Sequence, residues 1–274
     1  MRILFTVLTL FFFNSLFSQK IVKDISLSKK IDETSGLEII DGQFITHNDS
    51  GGDPKLYYLD KKGKIVFERI LKGAKNNDWE DITRDEEYIY VANMGNNFDT
   101  RKNLSIFKVP IDPMLNDVET IEFHYPEQIK FTTPYNSSQY DAEALISIDD
   151  KLIIFTKNKL KKITEIYTLP KKAGKYEAKK IGILNTKSII TGADYDSKSK
   201  LLALTGTLFF NEYYILKIEN FTLKNKTNYK IKMYEIPIGK TQVEAIKIID
   251  SNTFWITSED EKSSSSARLM KIKL

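Results

Sequence analysis

The sequence predicts an all-β chain folded as a five-bladed β-propeller, and three observations carry that reading. Short runs rich in Ile, Tyr, Phe, Val and Thr alternate with turn clusters roughly every 8 to 12 residues. No segment holds a long 3.6-residue apolar period. A four-strand unit recurs along the chain, and the recurrence favours a propeller over a sandwich or barrel.

The first unit reads SGLEIIDG, QFITHND, KLYYLD and KIVFERIL from Ser35 to Leu71. The second reads EDITRDEE, YIYVANMG, NLSIFKVP and ETIEFHYP from Glu80 to Pro126, and the third EALISIDD, KLIIFTKN, EIYTLPKK and YEAKKIGIL from Glu143 to Leu184. The fourth reads TGADYDSK, LLALTGTL, YYILKIEN and YKIKMYEI from Thr191 to Ile236. The fifth keeps only EAIKIIDS, TFWITSED and ARLMKIKL, from Glu244 to Leu274. Its missing strand is expected at the other end of the chain: IVKDISL, Ile21 to Leu27, would pair with the last blade, close the ring and leave no free edge. The longer gap between the second and third units, with QIKFTTP at Gln128 to Pro134, leaves a sixth blade open as the alternative. The SSSS run at Ser263 to Ser266 reads as a loop within the last unit.

Residues 1–18 put Arg2 ahead of an apolar stretch from Ile3 to Phe17, with Ser18 and Gln19 at a cleavage point. This reads as a secretory signal peptide, with 19–274 as one propeller domain. The stretch is shorter than the roughly 20 residues of a spanning helix, so an uncleaved anchor is the secondary reading. Export to the periplasm or the extracellular space follows, with no transmembrane segment in the mature form. There are no cysteines, so folding rests on burial rather than disulfides.

Lys plus Arg number 41 against 37 Asp plus Glu, a formal charge of +4. The lysines scatter through turns, which describes a solvated surface and excludes a nucleic-acid partner. The chain is expected to be a monomer. No GxSxG motif accompanies His47, so nothing suggests a serine triad, and His124 falls in an outer strand.

The first strand of each blade lines the central axis, and here these strands open with SGL, EDI, EAL, TGA and EAI. One slot therefore holds Ser35, Glu80, Glu143, Thr191 and Glu244, at spacings of 45, 63, 48 and 53 residues. Converging carboxylates in a narrow channel must take up protons or bind a cation. Oxygen-only donors select a hard ion, and calcium, with six to eight adaptable ligands, suits them best. The plainer alternative is that the acids accept hydrogen bonds from channel backbone or water. A register shift in the fourth unit would put Asp194 in place of Thr191.

In a propeller, the start of the first strand and the end of the second emerge on one face. That face would gather HNDSGG, NMGNNFDTR, TKNK, TGTLFFNE and SEDEK, placing His47, Asn48, Asp49, Asn93, Asn96, Arg101, Lys157 and Glu259 around the slot. Such residues could hold an anionic group beside an ion, and they are also ordinary turn residues. Trp79 and Trp255 read as core.

The combination ETSGL, THNDSGG, DWEDI, YVANMGNN and DAEAL resembles a group of secreted bacterial propeller proteins of unassigned function, over most of the mature chain. A second resemblance is to the calcium-activated nucleotidase (apyrase) family, five-bladed propellers whose calcium ligands run Ser, Glu, Glu, Ser, Glu around the channel. The slots here are similar in type and order, although Gly36 stands where that family has a second acid. The EAL and EAI openings also resemble esterase-like phytase propellers. These likenesses imply channel calcium and, less directly, phosphoester chemistry.

Two functions are therefore expected. One is a calcium-ordered propeller whose loop-rich face binds a small molecule, a glycan or an envelope protein. The other is a calcium-dependent phosphohydrolase, with Asp49 or Glu80 activating water and Arg101 or Lys157 holding phosphate.

Overall fold

The computed structural model describes residues 19–134, 136–224, 229–239, 241–259 and 266–274. The expected signal peptide (1–18), Asp260–Lys262 of the last face loop and Ser263–Ser265 of the serine run lie outside the described residues.

Five antiparallel four-stranded blades follow one another along the chain. After β1 (Lys20–Ser26), the first blade comprises β2 (Thr34–Ile40), β3 (Gln43–Asn48), β4 (Lys55–Leu59) and β5 (Ile65–Ile70). The second comprises β6 (Trp79–Arg84), β7 (Tyr88–Asn93), β8 (Leu104–Pro110) and β9 (Glu119–His124). The third holds β10 (Ala142–Ile148), β11 (Lys151–Thr156), β12 (Thr164–Pro170) and β14 (Lys179–Leu184), with β13 (Gly174–Glu177) inserted before its last strand. The fourth holds β15 (Ile189–Asp196), β16 (Leu201–Thr207), β17 (Tyr213–Ile218) and β18 (Ile231–Glu235). The fifth holds β19 (Val243–Asp250), β20 (Thr253–Ser258) and β21 (Arg268–Lys273).

Strand β1 completes the fifth blade by pairing antiparallel with β21, from Lys20 opposite Lys273 to Ser26 opposite Arg268. The two ends of the chain thus close the ring, as the incomplete fifth unit implies. Residues 128–134 form no strand, so the described residues contain no sixth blade.

One segment departs from the sequence reading. YEAKKIGIL is not a single strand: β13 crosses to the second blade and runs parallel to β9, Gly174 opposite Ile121 through Glu177 opposite His124. The chain returns at Ala178, whose amide donates to the His124 carbonyl at 2.9 Å. The crossing covers the outer edge of β9, which would otherwise expose unpaired backbone groups.

Both faces of every blade are buried, because each packs against the blade before and the blade after. Along β11, Leu152 and Ile154 enter the cluster shared with the second blade, while Ile153 and Phe155 enter the one shared with the fourth. Five such clusters fill the five blade junctions. This explains inner strands such as KLIIFT, which are apolar without alternation. Trp79 and Trp255 belong to two of these clusters, as expected of core residues.

The innermost strands approach closely along the axis. One residue past the slot stand Gly36, Asp81, Ala144, Gly192 and Ala245. A Cβ on Gly192 would lie 2.6 Å from the Glu244 carbonyl oxygen, so the waist admits only small side chains or none. Asp81 is the exception, and its buried carboxylate accepts the Ile82 and Leu145 amides at 2.8 Å each. The waist divides the channel into two separate ends.

Candidate metal centre at the upper end of the channel

A β-bulge aims the slot residues. In four blades the ladder between the first and second strands skips the slot itself: Glu80, Glu143, Thr191 and Glu244 each sit at a register shift. In the first blade the shift falls just after Ser35. A bulge adds one unpaired residue and turns its side chain out of the regular alternation. Here it turns the carboxylates of Glu80, Glu143 and Glu244 into the channel, where all three are buried.

A second tier lies two residues earlier. These positions are Glu33, Asp78, Asp141, Ile189 and Gln242, and all but Ile189 lie just ahead of the first strand of their blade. In four blades a residue one or two places beyond the second strand is pinned against this tier by a backbone hydrogen bond. Asp49 donates to Glu33, Gly95 to Asp78, Lys157 to Asp141 and Glu259 to Gln242, at 2.9, 3.2, 2.6 and 2.9 Å. The mouth is thus built from the slot tier, the residues that lead into the first strands and one ring of loop residues.

Two carboxylate groups result. Oxygens of Asp49, Asp78 and Glu80 lie within 4.8 Å of one another, and so do oxygens of Glu80, Asp141 and Glu143. Glu80 is common to both. Gly95 makes room for the first group, since a Cβ there would stand 1.9 Å from Glu80 Oε1 and 2.4 Å from Asp78 Oδ2.

The groups differ in compensation. In the second, Lys157 Nζ lies 2.6 Å from Glu143 Oε1 and Lys159 Nζ lies 3.1 Å from Asp141 Oδ2. In the first, the one cation among the described residues within 4.0 Å of a carboxylate oxygen is Arg101, whose Nη1 is 4.0 Å from Asp78 Oδ2, while Lys157 acts on Asp49 and Asp78 from farther off. Both its terminal nitrogens already donate to backbone, Nη1 to the Gly95 carbonyl and Nη2 to that of Asn93. Asp49 Oδ1 is buried with no hydrogen-bond partner among the described residues.

Electrostatics follow from this crowding. Burial, reinforced by neighbouring carboxylates, pushes Asp49, Glu80 and Glu244 well above the usual carboxylate range. Asp78 is raised by the same causes, against the pull of Arg101, a hydrogen bond with Asp49 and the charge of Lys157. Glu143 is raised by burial although Lys157 opposes it. Glu259 is pushed up to about 7, mainly by burial. Lys157 moves the other way from what its burial favours, because Glu143, Asp141, Glu244 and Glu80 hold its ammonium well above its ordinary value. The mouth holds more negative charge than its own cations answer, a condition that protons or a bound cation would relieve.

The remaining predicted residues take more structural places. The Ser35 hydroxyl donates across the blade junction to the Glu80 carbonyl, and that of Thr191 to the Val243 carbonyl at 2.6 Å. Each keeps an oxygen lone pair. Asn48 donates through Nδ2 to the Lys30 carbonyl at 2.9 Å. Asn93 Oδ1 accepts from the Asn77 and Asp78 amides, and Asn96 Oδ1 from the Arg101 amide. His47 is not on the open face: it is fully buried, edge-on to Trp79 with ring centroids 5.5 Å apart, and burial lowers it to about 4. Asp194 lies below the waist and does not replace Thr191. Asp78, Asp141, Lys159 and Gly95 were not among the predicted site residues, although Asp78-x-Glu80 and Asp141-x-Glu143 repeat one acid-x-acid pattern in the sequence.

No family model and no curated protein matches the chain. Solved structures match its fold. An exo-β-1,3-galactanase from Phanerochaete chrysosporium aligns with a TM-score of 0.53 at 9% identity, covering 93% of this chain and 64% of the other. The PQQ-bound aldose sugar dehydrogenase from Streptomyces coelicolor aligns at 0.52 and 8% identity, covering 93% and 98%. A putative oxidoreductase (glucose dehydrogenase) from Thermus thermophilus gives 0.50 and 8%, covering 93% and 99%. At such identities the likeness establishes the propeller and nothing about chemistry.

Proposed function

We propose that this is an exported propeller protein whose upper channel mouth binds a calcium ion through Asp49, Asp78 and Glu80, and whose surrounding loops recognise a ligand. The observation that carries the reading is the Asp49–Asp78–Glu80 group itself: three carboxylates within 4.8 Å of one another, with only Arg101 among the described cations coming within 4.0 Å of them and a glycine backbone shaped around them. All-oxygen donors favour a hard cation, and calcium tolerates irregular geometry better than magnesium. The apolar leader after Arg2 supports export.

The loops beside the mouth support recognition. Phe98, Leu160, Phe209 and Phe210 stand exposed on the loops that follow the second strands of blades two to four, an apolar rim around a charged centre. A calcium-dependent phosphohydrolase is the less supported reading, because the cations nearest the carboxylates are already engaged. Arg101 holds backbone carbonyls, and Lys157 and Lys159 hold carboxylates. Phosphate release from a panel of nucleotides and from phytate, with calcium present, is expected to stay at background. Turnover abolished by Glu80→Gln would replace the recognition reading with the hydrolase.

A further inference from the structure

The Glu80, Asp141 and Glu143 group carries a cation that belongs to the chain. Lys157 leaves the end of β11, and its ammonium comes within 2.6 Å of Glu143 Oε1. Glu80, Asp141 and Glu244 also hold it in its charged form. Asp141 is fully buried, and its Oδ2 accepts no aligned hydrogen bond although the Lys159 ammonium stands 3.1 Å away. Asp49 and Glu259, the positions equivalent to Lys157 in two other blades, are acids, and in the second blade the place is taken by Gly95. An ammonium therefore stands where this ring otherwise has carboxylates or empty space.

We infer that Glu80, Asp141 and Glu143 form a second cation site at the mouth, and that Lys157 fills it as a tethered monovalent cation in place of a second divalent ion. The two sites share Glu80, as the two ions of a carboxylate-bridged pair would. Lys157 thereby sets how many divalent ions the mouth takes. The inference rests on the proposed function for the identity of the ion and for Glu80, which both sites use.

Calcium titration by calorimetry of the wild type, Lys157→Met and Lys157→Arg separates the two. The inference predicts one additional calcium ion in Lys157→Met, two where the wild type binds one, and the wild-type number in Lys157→Arg, which keeps the charge. Adding Glu143→Gln to Lys157→Met should return the count to the wild-type value. If the wild type binds none and Lys157→Met binds one, the tethered-cation inference stands and the Asp49–Asp78–Glu80 reading falls. If both bind one with the same affinity, that reading stands and the inference is overturned. If neither binds, both fall. Near-ultraviolet circular dichroism of Trp79 and Trp255 reports whether each variant is folded. Lys157→Gln, which keeps a polar head at similar reach, provides the same comparison should the methionine variant not fold.

Discussion

At its lower end the channel holds Lys247 between Glu38 and Asp194, its ammonium 2.9 Å from an oxygen of each, while Asp194 also accepts the Ile248 amide at 2.7 Å and Arg84 approaches Glu38 at 3.6 Å. This end opens into a basin of about 820 Å3 whose inner charges answer one another. At the upper end, Asp49, Asp78, Glu80, Asp141, Glu143, Glu244 and Glu259 meet only Arg101, Lys157 and Lys159 among the described residues. The same five strands thus supply a closed ionic network below the waist and an open one above it. Closed networks stabilise a fold only while every partner is present, whereas an excess of one sign costs stability until something from outside supplies the other.

Removing one charge should therefore have opposite consequences at the two ends. Lys247→Met strands Glu38 and Asp194, and it is expected to cost about 3–5 kcal/mol in urea unfolding, with or without calcium. Glu244→Gln removes part of an excess, so the chelator-treated protein should keep or gain stability. Equal losses at both ends would end the distinction.

Gly95→Ala tests the shape of the mouth. Its Cβ would collide with Glu80 and Asp78, so a loss of about 1–3 kcal/mol is expected from the forced shift, together with weakened calcium binding by calorimetry. Wild-type affinity in this variant would mean that the carboxylates need not converge there.

The pH dependence sharpens the same contrast. Glu259, raised to about 7 in the folded state, contributes stability that is fully present below its unfolded value near 4.5 and is lost as pH rises through about 7. The other raised acids of the mouth act with the same sign. His47 opposes them: lowered to about 4, it contributes stability present above about 6.5 and lost as pH falls through about 4. Without calcium, melting temperature should rise as pH drops from 8 toward 6 and turn over below that. With saturating calcium the rise should vanish, because the ion takes the place of the protons. A rise of the same size in both conditions would remove the ion from the account.

The smallest effect expected is from Ser35→Ala. It removes the hydroxyl that bonds the Glu80 carbonyl and should cost about 1 kcal/mol, with calcium affinity changed less than by Gly95→Ala. A large loss of affinity would return Ser35 to the ligand set.

The fold was legible because a propeller writes itself as a repeat. Strand-length apolar runs, the three-stranded last unit and the unassigned IVKDISL strand together specified the five blades and their closure. The path of β13 was not legible: nothing in YEAKKIGIL marks Ala178 as a crossing point, since the exposed edge it covers belongs to another blade. At the site, the slot acids were readable from SGL, EDI, EAL, TGA and EAI, and the acid-x-acid pattern ending at Glu80 and Glu143 held the signal for Asp78 and Asp141 as well. What could not be read was compensation. That Lys157 and Lys159 pair directly with Glu143 and Asp141 while Asp49 and Asp78 have no cation closer than 4.0 Å depends on loop positions fixed only by tertiary contacts.

The most direct test of a cation-binding upper mouth is calorimetric titration of calcium into residues 19–274, wild type beside Asp78→Asn. Saturable binding in the wild type that is lost or weakened at least about tenfold, roughly 1.4 kcal/mol, in Asp78→Asn is the predicted result. No binding in the wild type, or equal affinity in both, would contradict it.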